Sequence, residues 1–148
     1  MGSTFLSLHY HVTFSIKLRR PLIDSKWRNE LHKYLSGTIK KMGGYPCGTG
    51  GVADHVHVLF GLKATHCLAD VMRELKKSAT VWVYEEMCVS DFSWQEGYAA
   101  FTVSPNAIPG VQHYIENQEE HHRRKSYREE LKELLDLAGV EYEDKYLD

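Results

Sequence analysis

The segment DHVHVLFGL, residues 54–62, decides both the fold and the candidate site. It is rich in β-branched and aromatic residues, so it predicts a β-strand. Side chains alternate along a strand, which places His55 and His57 on one face, about 6 to 7 Å apart, with apolar residues on the other. The apolar side would anchor the strand in the core. We therefore expect the two imidazoles on the open face of the sheet, where they can share one divalent ion.

The segments on either side predict an α+β fold. In chain order we expect a strand at 9–16, a helix from about 24 to 42, a short strand within 45–51, the strand at 55–62, a helix at about 68–87 and a strand within 96–104. Asp24 is the predicted cap of the first helix. The βαββαβ order is that of a ferredoxin-like sandwich with an antiparallel sheet. Its helices would cover one face and leave the other available.

The residues from 104 onward come after the sandwich, and they predict one helix in addition to its two. The connector SPNAIPG, residues 104–110, is rich in helix breakers, and a long polar helix is expected from 108–111 toward Leu137. We expect a single domain over 1–148, with a core at about 5–104, a hinge at about 105–110, and the last helix with an acidic tail at about 111–148. The connector fits a hinge and a simple helix start equally well.

Composition excludes several classes of protein. The chain has 148 residues, of which 43% are hydrophobic and 26% charged, values typical of one soluble globular domain and not of a disordered or fibrous chain. No apolar run approaches the roughly 20 residues of a membrane span, and no signal peptide is recognisable at the start, so we expect a cytoplasmic protein. Three cysteines without CxxC spacing indicate reduced thiols.

The charge is unevenly distributed along the chain. Residues 129–148 contain eight acids and two lysines, a net charge of −6. The whole chain carries −2, so residues 1–128 carry +4. A mildly basic body with an acidic tail is compatible with a phosphate-backbone ligand, although many other proteins have such a charge.

The histidine pair is not specific by itself, because His9 and His11 repeat the same spacing. Either pair is more often a set of hydrogen-bonded sheet histidines than a metal site. The segment HYIENQEEHHRR, residues 113–124, supplies the second observation: Tyr114 and Gln118 stand one helical turn apart on the same face. A surface helix whose tyrosine packs on the sheet is the alternative interpretation.

Three further residues near these motifs were weighed as members of the site. Asp54 would point to the face opposite His55 if the strand already included it, and Glu116 lies on another side of the helix from Tyr114. Both are therefore predicted to lie outside the metal site. His121 is predicted to be a partly exposed helix histidine.

At this point the chain resembles the single-tyrosine HUH transposases of small insertion sequences, which are TnpA-like and include the REP-associated tyrosine transposases. The HUH motif is two histidines flanking a bulky hydrophobic residue, here HVH within DHVHVLF. The resemblance extends over nearly the whole chain, in the family's order and spacing. It is carried by KLRRPLI, LKKSATVW, WQEGYAAFTVS and YIENQEEHH.

This resemblance implies the roles of the site residues. Tyr114 corresponds to the catalytic tyrosine, and His55, His57 and Gln118 to the protein ligands of the metal. His9 and His11 have no such role in the family. Two imidazoles and an amide oxygen leave coordination positions for phosphate oxygens, which suits Mg²⁺ or Mn²⁺. The implied reaction is cleavage and rejoining of single-stranded DNA through a 5′-phosphotyrosine, with the last helix as the catalytic helix.

The resemblance also implies partners. We expect single-stranded DNA, with a hairpin beside the cut, and a homodimer; no membrane is expected. Candidate contacts to the DNA backbone are Lys76, Lys77, Arg19, Arg20, Arg73, Arg123 and Arg124. A basic residue on a helix is usually solvated surface. Among the candidates, Lys76 and Lys77 are preferred over the other five. Two other functions remain open: a hydrolytic metal-dependent phosphoesterase in which Tyr114 is structural, and a non-catalytic nucleic-acid-binding ferredoxin-like module.

Overall fold

The structure is a computed structural model that describes residues 2–147, and it is built around one antiparallel sheet. Its elements are β1 (His9–Ser15), α1 (Arg28–Lys41), β2 (Tyr45–Gly51), β3 (His55–Gly61), α2 (Leu68–Glu86), β4 (Ala99–Thr102), α3 (Ile108–Glu116), α4 (Gln118–His121) and α5 (Tyr127–Ala138). The strand order is β2-β3-β1-β4. The predicted α+β, ferredoxin-like sandwich with an antiparallel sheet is confirmed, and the helices α3 to α5 are additional to it.

The pairing of β1 with β3 sorts the side chains onto two faces of the sheet. Val12 pairs with Val58, and Thr13 with His57. Residues opposite each other on neighbouring strands share a face, so the valines and the histidine lie on different sides. On the apolar side, α1 and α2 bury residues such as Leu35 and Leu75 against the valines, which forms the main hydrophobic core. This burial is the dominant stabilising term of the fold.

The first helix begins later than predicted. The Asp24 side chain accepts a hydrogen bond from the Lys26 amide at 2.8 Å, and its carbonyl accepts one from Trp27. Asp24 therefore closes a turn ahead of α1, which begins at Arg28. Such local side-chain bonds compete with helix formation, which explains why the acidic cap signal was misplaced by one turn.

The last strand is shorter than the predicted 96–104. Residues 96–98 lie outside the strand, because the Lys76 ammonium binds the carbonyl oxygens of Gln95, Glu96 and Gly97 at 2.5 to 3.2 Å. Just before them, Trp94 forms an isolated bridge with Ile16, and the Gln95 amide donates to the Ser15 carbonyl at 2.9 Å. A carbonyl that bonds to an ammonium is not available to a neighbouring strand.

The histidine face is covered, and the prediction of an open face was wrong. A second cluster packs α3 against the sheet through Ile115, Leu59 and Val103. A third cluster packs α5 against β4 through Tyr127, Leu131, Leu135 and the later Leu147, with Ala99 and Phe101 beneath. Glu129, Glu130, Glu133 and Asp136 thus belong to an amphipathic helix whose apolar side covers part of the sheet.

The predicted single helix from 108 to 137 is also wrong, since three helices occupy this region. Asn117 ends α3, and its side-chain amide donates to the His113 carbonyl at 2.7 Å. A new start follows at Ser126, which forms a capping box with Glu129 at the beginning of α5. The two breaks change the direction of the chain, so α5 returns over the sheet.

The connector at 105–110 is continuous with the next helix. Residues Pro105–Ala107 form a 3-10 turn, and Pro109 and Gly110 already belong to α3. Proline at a helix start is favourable because its missing amide hydrogen would have no partner there. Within residues 2–147, no helix combines the length and the apolar composition needed to cross a membrane.

Candidate active site

The two histidines of β3 lie in the interior with fixed orientations. His55 and His57 are both 0% exposed. The Nδ1 atom of His55 donates to the Asp54 carboxylate at 2.7 Å, so its Nε2 points toward the covering helices. Asp54 lies immediately before the first residue of β3, and strand alternation therefore does not apply to it. The condition for its predicted placement away from His55 is therefore not met: it positions the imidazole and is not among the clustered donor atoms.

His11 of the second histidine pair also contacts the site. Its Nε2 lies 2.7 Å from Nδ1 of His57, and the two atoms share a hydrogen bond. A carboxylate or other acceptor at the far nitrogen is the usual way in which metal-binding imidazoles are oriented. The resemblance implies no ligand role for His11, and the contact of His11 is with the far nitrogen of His57. His9 instead lies near the Ser7 hydroxyl, at 3.5 Å.

The helices α3 and α4 bring the predicted tyrosine and glutamine to the same place. The Tyr114 ring stands edge-on to His57, with ring centroids 5.7 Å apart. Gln118 is 1% exposed, and its Oε1 accepts from Nε2 of His55 at 3.1 Å. The sequence-predicted residues Tyr114, His55, His57 and Gln118 are thus brought together within one chain.

The close approach of α3 depends on a glycine of β2. A Cβ atom added to Gly50 would collide with the backbone carbonyl of Ile115 in α3. Glycine is the residue that permits such contact between two backbones. A glycine in β2, whose short strand the sequence predicted without this contact, is therefore what allows the tyrosine helix to reach the histidines.

Two residues at the centre of the cluster, Glu130 and His122, were missed by the sequence analysis. Glu130 of α5 is 1% exposed, and Tyr114 donates a short hydrogen bond to its Oε2. Its Oε1 lies 2.9 Å from Nε2 of His57 and 3.1 Å from Nε2 of His122. Glu130 was counted among the acids of the tail. The available signal was its position on the apolar stripe of α5, between Tyr127 and Leu131.

Burial and hydrogen bonding set the charges of the cluster. Burial disfavours a charged Glu130, but hydrogen bonds from His122, His55 and His57 prevail and hold its pKa well below the usual range. Burial alone would lower the pKa of His55, but the carboxylates of Asp54 and Glu130 raise it. The pKa of His57 is lowered, chiefly by burial. The cluster therefore holds an ionised carboxylate among imidazoles of unequal basicity.

The catalytic candidate is held as a neutral phenol. Burial, together with the hydrogen bond and negative charge of Glu130, raises the pKa of Tyr114 above its usual value. His11 behaves in the opposite sense, since burial and the neighbouring His57 lower its pKa to about 3. Positive charge near the phenol would be needed to favour the phenolate.

The donor atoms fit a divalent cation. One nitrogen of each of His55, His57 and His122 and one oxygen of Glu130 lie within 4.8 Å of one another. Gln118 Oε1 lies 3.0 Å from Nε2 of His122 and belongs to the same group. Imidazole nitrogens with carboxylate or amide oxygens are a donor set for Mn²⁺ and related ions.

The predicted DNA contacts are distributed over the whole molecule. Lys76 is engaged with three carbonyls and lies over the Phe14 ring at 5.7 Å, so its role is structural. Lys77 and Arg73 are exposed on α2, across the sheet from the histidines, and Arg73 pairs with Asp70. Neither surface adjoins the histidine cluster. The preference for Lys76 is not supported by its contacts.

Among the other candidates, Arg19, Arg123 and Arg124 line clefts at the site, and Arg20 does not. Arg20 pairs with Asp91 at 2.7 Å, and Arg123 with Glu120 at 3.0 Å. Arg124 lines a surface cleft beside Tyr114 and His121, together with Lys125, which the sequence analysis missed. Arg19 and Arg123 line a neighbouring cleft that reaches Asp54. The first cleft offers basic groups next to Tyr114, and the second offers them beside Asp54 and His122; α2 offers none there.

Comparison with known proteins finds relatives that are all transposases. The ISDra2 transposase TnpA of Deinococcus radiodurans is 24% identical over 117 residues, covering 75% of this chain and 84% of that protein. A crystal structure assigned as a transposase of Deinococcus radiodurans R1 has a TM-score of 0.61 at 22% identity, covering 80% of this chain and 96% of the other. A REP-associated tyrosine transposase bound to a REP hairpin has a TM-score of 0.60 at 15% identity, covering 82% and 74%.

A family profile described as "Transposase IS200 like" matches residues 4–118, which is most of the chain. The matched region contains the whole sandwich, both β3 histidines, Tyr114 and Gln118. Such transposases cut and transfer DNA strands and depend on a metal ion. By this match, this chain belongs to the family of IS200-like, TnpA-like transposases.

Proposed function

We propose that this transposase cuts and rejoins single-stranded DNA through a covalent 5′-phosphotyrosine at Tyr114. The observation that carries the proposal is the convergence of the Tyr114 hydroxyl with His55, His57 and Gln118 inside one chain. A hydrolytic phosphoesterase would not require a phenol beside its metal ligands. A non-catalytic binding module would require neither the phenol nor the metal ligands.

The reaction follows from the positions of these side chains. The Tyr114 oxygen attacks a DNA phosphorus, a new bond to the 5′ phosphate forms, and the bond to the 3′ oxygen breaks to leave a 3′-hydroxyl. No proton is gained or lost overall: Tyr114 gives up its proton along the hydrogen bond whose acceptor is Glu130, and the departing 3′ oxygen takes up one proton to become the hydroxyl. A later 3′-hydroxyl attacks the phosphotyrosine and releases the phenol, so no water or nucleotide cofactor is consumed.

His55, His57 and Gln118 are the proposed holders of Mg²⁺ or Mn²⁺. When bound, such an ion supplies Lewis acidity toward phosphate oxygens and positive charge beside the phenol. The residues of this chain keep the site in order: Asp54 and His11 orient the imidazoles, and Gln118 Nε2 donates to Glu130 Oε2 at 3.1 Å. Burial excludes water from their bonds and strengthens them.

The DNA partner is proposed to be a single strand with a hairpin beside the cut. The REP-associated relative was solved bound to a REP hairpin, which supports this class of ligand. Arg124 and Lys125 beside Tyr114 provide positive charge for a phosphate backbone next to the reacting group. A homodimer, as the resemblance implies, remains part of the proposal.

The test is incubation with labelled single-stranded hairpin DNA and Mn²⁺, followed by denaturing electrophoresis. We expect a labelled protein band that disappears in Tyr114→Phe and persists in Tyr45→Phe, a matched change at an exposed tyrosine. Cleavage that survives Tyr114→Phe with no adduct would establish hydrolysis instead. If the wild-type protein leaves the DNA strand uncut, only the non-catalytic DNA-binding function remains.

A further inference from the structure

The carboxylate of Glu130 lies at the point where three imidazoles converge. Its Oε1 is 2.9 Å from Nε2 of His57, 3.1 Å from Nε2 of His122 and 3.3 Å from Nε2 of His55. Its Oε2 faces the other way, toward Tyr114 and Gln118. Burying an ionised carboxylate is costly unless it is compensated on all sides. Such a placement calls for a positively charged partner.

The far nitrogen of each imidazole is already occupied by another group. His55 Nδ1 donates to Asp54, and His57 Nδ1 is hydrogen-bonded to His11. His122 Nδ1 donates to the carbonyl of Lys125 at 2.7 Å. These contacts leave all three Nε2 atoms directed at the same spot. A second hydrogen bond of this kind is the usual companion of a metal-binding histidine, where it fixes the ring and its tautomer.

The separations also suit coordination. In an octahedral complex with ligand bonds of about 2.1 Å, neighbouring ligand atoms are about 3.0 Å apart. The distances from Glu130 Oε1 to the three nitrogens are 2.9 to 3.3 Å, close to that value. All four donor atoms lie within 4.8 Å of one another, near the span of opposite ligands. Small movements would therefore suffice to accommodate an ion.

We propose that Glu130 and His122 are ligands of the same divalent ion as His55 and His57. The inference rests on the metal site of the proposed function and extends its ligand set to three imidazoles, the Gln118 amide oxygen and a carboxylate. Both added ligands lie beyond the matched family region of residues 4–118. The third imidazole favours Mn²⁺ and the later transition metals over Mg²⁺, and the carboxylate reduces the positive charge left on the ion.

The test measures Mn²⁺ binding to the full chain without DNA, by the electron paramagnetic resonance signal of free Mn²⁺. We expect Glu130→Gln, which keeps the shape and removes the charge, and His122→Ala each to weaken binding at least tenfold. Glu116→Gln and His9→Ala, changes at residues outside the cluster, are the matched controls and are expected to bind as the wild type does.

Each other outcome overturns the proposal. If Glu130→Gln binds Mn²⁺ more tightly than the wild type, the Glu130 carboxylate competes with the ion for the three imidazoles and is not a ligand. If binding is unchanged in either variant, that residue is not a ligand. Pulsed electron paramagnetic resonance of the wild type gives an answer that needs no variant: three coordinated imidazole nitrogens are expected, and two would contradict the ligation by His122.

This test is separate from that of the catalytic proposal. If Glu130→Gln weakens Mn²⁺ binding but the wild type never forms a DNA adduct, the proposed ligands stand and the proposed reaction is refuted. If the wild type forms the Tyr114 adduct but Mn²⁺ affinity is unchanged in the Glu130 and His122 variants, the reaction stands and the two added ligands are refuted.

Discussion

At the scale of the residue, spacing identified some members of the site and missed others. The period of a strand relates His55 to His57, and the turn of a helix relates Tyr114 to Gln118, so these pairs are visible in the sequence. Glu130 reaches the same place only because two chain breaks return α5 over the sheet. No local spacing connects a residue with partners more than 70 positions away, such as His57.

A second residue-scale feature, His32 of α1, concerns stability. Burial and the nearby Arg28 lower the pKa of His32 from 6.5 to about 4, and its Nε2 has no hydrogen-bond partner. The unfolded chain therefore takes up this proton first as the pH falls. The neutral imidazole contributes stability above pH 6.5, and this contribution is lost progressively toward pH 4.

We therefore expect His32→Gln to flatten the fall in the free energy of unfolding between pH 6.5 and 4, measured by urea titration. The exposed His113→Gln is the control and should retain the slope of the wild type. An equally steep decline in His32→Gln would show that other groups account for the acid sensitivity.

At the scale of the element, regular hydrophobic periods predicted the sandwich well. The strand β3 and the helix α2 were expected within one or two residues of their observed bounds, because each combines a clear period with flanking breakers. The covering layer was not predicted. The polar run from Gln118 to Lys125 has no apolar period, and the breaks at Asn117 and Ser126 come from side-chain caps that compete with continuous helix.

The contact between β2 and α3 gives an element-scale prediction. Gly50→Ala places a methyl group against the Ile115 carbonyl and should displace α3, with Tyr114 and Gln118, from the histidines. We expect DNA cleavage to fall at least tenfold, since a displacement of about 1 Å can cost about 100-fold in rate.

Gly37→Ala is the matched control for this substitution. A Cβ atom at Gly37 meets nothing within 4 Å, and the residue lies inside α1, so the change should raise stability by about 0.5 to 1 kcal/mol and leave cleavage intact. Thermal melts and cleavage rates of both variants check the pair. Full activity of Gly50→Ala would show that the close approach is not required.

At the scale of the whole molecule, the proposed catalytic residues come together within one chain. Tyr114 stands beside His57 of the same copy, so no residue of a second copy is needed to assemble it. The fold of residues 4–118 is shared with the family, whereas α5 lies beyond the matched region and closes the site. The resemblance therefore predicted the residues within 4–118 and gave no prediction for Glu130 on α5.

A mixing experiment tests whether the tyrosine acts in cis. Tyr114→Phe and His55→Ala are each expected to be inactive, and a mixture of the two is expected to stay inactive, because a functional site requires both residues from one chain. Analytical ultracentrifugation of the same samples reports whether a homodimer forms. Recovery of cleavage in the mixture would show that the tyrosine is exchanged between copies.

The most direct measurement of the central claim is the site of DNA attachment. After incubation with single-stranded hairpin DNA and Mn²⁺, nuclease trimming and protease digestion, fragment-ion mass spectrometry locates the residue that carries the nucleotide. The account predicts a 5′-phosphate linked to Tyr114 alone among the tyrosines. A nucleotide on any other residue, or cleaved DNA with no modified peptide, would contradict it.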